Sequence, residues 1–89
     1  MASYRRYPRE TTAPRSERRE LEALLMLGMN YSSGRGVPID LVAAHKWFNI
    51  AAASGSRDAV RLRREVAVEM SDAEIAAAQR EARAWMTRH

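Results

Sequence analysis

The apolar residues of this chain recur three and four positions apart and never alternate, and that regularity decides most of what it can fold into. Leu21, Leu24, Leu25, Gly28 and Tyr31 fall on one helical face, and Leu41, Ala44, Trp47, Phe48, Ala51 and Ala52 on another. Ala59, Leu62, Val66 and Met70 make a third stripe, and Ile75, Ala78, Ala82, Trp85 and Met86 a fourth. A half-buried strand would need a period of two, so no sheet is expected. The residues between the stripes agree. Ser16 stands as an N-cap followed by Glu17 and Glu20, which suit the positive end of a helix dipole. The first helix should end near Ser33, because Gly34-Arg35-Gly36-Val37-Pro38 tolerates positive φ and then breaks the helix. Asp40 can cap the second helix and Gly55 stop it, and Ser71-Asp72-Ala73-Glu74 is a capping box for the fourth. The expected fold is all-α, with four helices joined by short turns and packed antiparallel to their neighbours.

Alanine supplies the packing logic. Ala44, Ala51, Ala52, Ala59, Ala78 and Ala82 lie on inward faces, where a small side chain lets two helix axes approach closely. Tyr31, Trp47, Phe48 and Trp85 are then the large residues that fill the spaces left, since dense interiors interleave small and large side chains.

Charge divides the chain. Eighty-nine residues make one small domain, and with no cysteine neither disulfides nor thiolate metal sites are expected. Residues 1–19 hold six arginines against Glu10 and Glu17, which accounts for the whole formal +4, while residues 20–89 balance nine basic against nine acidic residues. Residues 1–15 carry Pro8 and Pro14 with no periodic apolar residues, so a disordered arm is expected there, followed by a domain over 16–89. The pair Arg5-Arg6 is not read as an export signal, because Tyr7 to Glu20 is polar where an apolar segment would have to follow. No apolar run approaches the roughly 18 residues of a membrane span, and a cytoplasmic location is expected.

One span carries a resemblance. Leu27, Gly28, Tyr31, Gly34, Gly36, Asp40, Ala44, Trp47, Phe48, Ala51, Ala52, Gly55 and Ala59 stand at spacings that closely resemble the Sel-one-like repeat, a helix-turn-helix unit of the tetratricopeptide-like superfamily. A position that is usually lysine in that family is Ala43 here. The resemblance implies an α-α superhelical fragment with one repeat over about 23–59, followed by capping helices over about 56–70 and 71–88. It also implies adaptor or scaffold work in a bacterial complex.

Little in the sequence points to catalysis. His45, expected at the surface or the edge of the core, and His89 are the only histidines. No grouping has zinc or calcium spacing, and Gly34-Arg35-Gly36 lacks the lysine and hydroxyl of a phosphate loop. Neither an enzyme nor a cofactor is expected. The leading function is partner binding through a helical groove lined by Glu22, Met26, Met29 and Asn30, where methionines give an adaptable apolar contact. The N-terminal arm is the second element: Tyr4, Arg5, Arg6, Tyr7 and Arg9 alternate aromatic rings with cations, suited to an acidic protein surface. An alternative is RNA or DNA, whose bases the tyrosines could stack on while the arginines meet phosphates. A second copy of the chain is also open as the occupant of the groove.

Overall fold

Four helices form where the apolar stripes place them: α1 (Arg15–Ser33), α2 (Leu41–Ala53), α3 (Arg57–Ala67) and α4 (Asp72–Arg88). The structure is a computed structural model that describes residues 14–89, and no strand occurs among those residues. No helix among them is long and apolar enough to cross a membrane.

Side-chain chemistry fixes three of the four helix starts. Asp40 accepts a hydrogen bond from the Ala43 N–H at 3.0 Å, and Ser56 accepts one from the Ala59 N–H at 3.1 Å. The capping box is complete, since Glu74 N–H donates to Ser71 Oγ at 3.1 Å and Ser71 N–H to Glu74 Oε1 at 2.8 Å. Gly34 ends α1 at φ 77°, and the Gly34 and Arg35 N–H groups both return to the Asn30 carbonyl. The turn is then tied back to α1, because the Asp40 N–H donates to the Tyr31 carbonyl at 3.0 Å.

The start of α1 differs from expectation. Pro14, at φ −58°, is the N-cap, and no side chain caps the helix there. Ser16 therefore lies inside the helix rather than before it, and Arg15 is helical rather than part of an arm. Proline fixes the φ that a helix entry needs, and its carbonyl accepts the Arg18 N–H at 3.1 Å, so the helix starts as early as the proline permits. Residues 1–13 lie outside the described residues, and the expectation of disorder falls on them.

The packing is organised around α2. It packs against each of α1, α3 and α4, and no other two of these helices make comparable contact. Three successive residues at its middle account for this. A step along a helix turns the side chain by about 100°, so Trp47, Phe48 and Asn49 leave α2 in three directions. Trp47 meets Trp85 of α4 edge to face, with ring centroids 5.6 Å apart. Phe48 sits against Gly28 of α1 and is 1% exposed. Asn49 accepts a 2.6 Å hydrogen bond from Arg63 of α3.

Around these contacts the alanines let the axes close. Ala44, Ala51, Ala59, Ala78 and Ala82 are completely buried. Ala44, Phe48, Ala51 and Ala59 form one apolar cluster, flanked by Leu24, Leu25 and Tyr31 of α1 and by Leu62 and Val66 of α3. The fourth helix does not lie against its chain neighbour α3; it returns to α2. Trp47, Trp85 and Tyr31 are half-buried, which leaves Phe48 and Ile50 as the large side chains fully enclosed.

Gly28 decides how closely α1 can approach. A methyl group placed on it would lie 2.5 Å from Phe48 Cδ1 and 3.0 Å from Cγ. The ring has little room to yield, because it is enclosed by the core cluster. In an open helix Gly→Ala gains about 1 kcal/mol, whereas overpacking a core costs about 1–3 kcal/mol. Gly28→Ala should therefore lower stability by up to about 2 kcal/mol despite the better helix former, read as a reduced urea midpoint at unchanged slope. An increased midpoint would show that the two helices are free to separate there.

Candidate partner-binding surface

With one face of α1 fixed against α2, the opposite face is open. Arg15, Arg19, Glu22, Met26, Met29 and Ser33 follow one another at alternating steps of four and three, so they form a single stripe along that outer side, and all are exposed. Three of the four residues expected to line a groove lie in this stripe: Glu22 is exposed, Met26 is 50% exposed and Met29 40%. Asn30 is half-buried beside them, with its carbonyl engaged by the turn. Leu27 adds exposed apolar surface on one flank. Neither methionine widens the buried stripe of α1. The surface is an open helix face with arginines at its N-terminal end and methionines at its centre.

The arm residues Tyr4, Arg5, Arg6, Tyr7 and Arg9 lie outside the described residues. Where the described chain begins, Arg15, Arg18 and Arg19 continue the run of cations onto the first turns of α1.

A concave site lies on another flank of α1. A cleft of about 570 Å³ is lined by Glu20, Ala23 and Leu24 of α1, Ser54 at the end of α2, and Trp85, Met86 and His89 at the end of α4. The cleft lies between α1 and α4 beside the C-terminal end of α2. The aromatic groups along the α4 side are ordered in a row. Lys46 Nζ stands 4.6 Å from the Trp47 ring centre, Trp47 abuts Trp85, and His89 stacks on Trp85 with centroids 4.0 Å apart and planes within 9°. Trp85 and Met86, inward-facing on the helical pattern of α4, are half-buried and line this cleft together with His89, which no sequence motif singles out.

The structure corrects the placement of His45. Expected at the surface or the core edge, it is 3% exposed, and its Nδ1 has no hydrogen-bond partner. It sits one helical turn before Asn49, on the side of α2 where Arg63 of α3 arrives. Burial lowers the imidazole pKa below its ordinary value of 6.5, and the Arg63 guanidinium lowers it further. A neutral ring is the form this interior accepts. His45, Asn49 and Arg63 thus make a polar seam in the core, and among the described residues no group of three or more His, Cys, Asp or Glu side chains could hold a metal.

With this geometry in place, comparison with known proteins adds nothing: no family model, curated protein or solved structure matches the chain.

The seam has a measurable consequence. Because the folded-state pKa of His45 is below its unfolded value, the unfolded chain takes up a proton first as the pH falls. Stability should be full above about pH 6.5 and decline below it, with a slope of at most about 1.4 kcal/mol per pH unit, until the buried ring itself protonates. Denaturant titrations between pH 7.5 and 5 should show this decline, and His45→Met should remove it. A decline that persists in that variant would assign it to another group.

Proposed function

We propose that this chain is a non-catalytic interaction module of Sel-one-like repeat type, a cytoplasmic adaptor or accessory subunit of a bacterial complex. Its partner is a protein segment that lays an apolar helix face along the outer side of α1. The observation that carries the reading is the pair Met26 and Met29, exposed on a helix whose other face is committed to α2. Methionine adapts to an incoming surface, and covering the exposed part of each side chain contributes about 1 kcal/mol. Arg15 and Arg19, in line with the methionines, select a partner with carboxylates at the matching end of its helix, and the arginine-rich arm adds to the same preference. The glycine turn and the small residues at the α1–α2 crossing support the repeat-type reading.

The test is recovery of partners from the native cells with the full chain and with a Met26→Glu/Met29→Glu variant. Both substitutions are on an open face, so circular dichroism should show unchanged helix content. The variant should bind the recovered protein at least about tenfold more weakly, as expected when a buried apolar contact is replaced by a charge. Equal affinity would overturn the α1 face as the docking surface. Recovery of nucleic acid instead, with affinity falling steeply as salt rises, would favour the arm-centred alternative.

A further inference from the structure

We propose that this chain docks head to tail on a second copy of itself, the Val68 turn of one copy entering the α1–α4 cleft of the next. The contact uses the two ends of the molecule and leaves the methionine face of α1 uncovered. It does not rest on that face being a docking surface.

The two ends differ in shape. One holds the cleft, which is lined by the first half of α1 and by the last residues of α2 and α4. At the other end α1 and α3 finish and α2 and α4 begin, joined by the turns at 34–40 and 68–71. The two most exposed large apolar side chains among the described residues lie in those turns: Val68 is 84% exposed and Ile39 64%. The opposite end has the complement, a hollow of about 570 Å³ bordered by Leu24, Trp85 and Met86. That volume admits the isopropyl group of Val68 together with part of its turn.

The two ends also differ in charge. Taking the five residues of each helix nearest an end, with the turns, the cleft end carries six arginines against two carboxylates. The Val68 end carries three arginines against five carboxylates, and one of those arginines, Arg63, is turned inward to Asn49. Glu65, Glu69 and Asp72 are exposed and stand within four residues of Val68. Arg83 and Arg88 are exposed and stand within one helical turn of Met86 and Trp85. Opposite ends therefore attract, and the charges that meet flank the apolar contact on both sides.

Symmetry follows from this. A two-fold pair would set cleft against cleft or Val68 against Val68, with like charges facing each other. A contact between opposite ends avoids that and does not close on itself, since every added copy presents one free Val68 turn and one free cleft.

The test is sedimentation equilibrium of the full-length chain at about 50 mM NaCl. The weight-average mass should climb with concentration past that of a dimer, without a plateau, and raising the salt to about 0.5 M should weaken association several-fold. Val68→Glu removes the apolar tip, and Ala23→Glu places a carboxylate in the cleft from an exposed position on α1. Each should weaken self-association at least about tenfold, with helix content unchanged by circular dichroism. Mixed in equal amounts, the two variants should form a one-to-one pair and nothing larger, because one retains its Val68 turn and the other its cleft. Met26→Glu/Met29→Glu should self-associate like the unmodified chain, which separates this contact from the methionine face. A chain that stays monomeric to about 1 mM, a mass that stops at a dimer, or association that salt does not weaken would overturn the proposal. So would association indifferent to Val68→Glu or Ala23→Glu, a mixture that fails to pair, or loss of association in the methionine variant.

Discussion

The seat of Phe48 on Gly28 is the contact on which the rest of the molecule depends. It sets the distance between α1 and α2 to what a glycine allows, and the four-residue cluster of Ala44, Phe48, Ala51 and Ala59 closes around it. Without that approach, Leu24, Leu25 and Tyr31 would stand off from the cluster, and the turn that ties Asp40 to Tyr31 would have to open. Fully burying a phenylalanine contributes about 1.5–3 kcal/mol, and removing one from a core costs about 3–5. For so small a domain, such a contribution is a large share of total stability.

Much of this was legible in the sequence, because local chemistry specifies it. Asp40, Ser71 and Glu74 cap as their types and spacing require, Gly34 ends α1, and of the alanines at inward positions all but the partly buried Ala52 are enclosed. What could not be read follows from one physical fact. A search for stripes assumes that a helix buries one side, and α2 buries three. Ile50 and His45 fall outside its main stripe, yet both are enclosed, because α2 packs against three helices. Likewise the stripe on α4 identifies Trp85 as inward-facing but cannot show that its ring meets Trp47 on one side and borders the cleft on another. The methionines of α1 were recognised as lying opposite the core, but only the three-dimensional arrangement shows that this side is an open face.

The same geometry explains where binding surfaces lie. Since α2 absorbs the packing of all three other helices, each of them keeps a free side, and a concave surface forms between α1 and α4 beside the end of α2. Chemistry then differs from side to side. Sulfur-bearing side chains and arginines occupy the outer side of α1, an aromatic row and one carboxylate occupy the cleft, and ion pairs of Arg61 with Asp58 and Glu65 solvate α3. Those exposed pairs contribute little to stability. Their effect is to keep α3 wet while the apolar atoms of α1 and α4 remain available.

The return of α4 to α2, over the top of α3 in sequence, carries a consequence for how the chain assembles. Contacts of α2 with α1 and α3 close short connections, whereas α4 must close a loop that contains all of α3 before Trp85 reaches Trp47. Loop closure is costlier for the longer span, and folding rates follow the locality of contacts. A three-helix nucleus around Phe48 can therefore form from neighbouring segments alone, whereas the contacts of α4, the helix that completes the cleft, close the longest loop of the packed pairs.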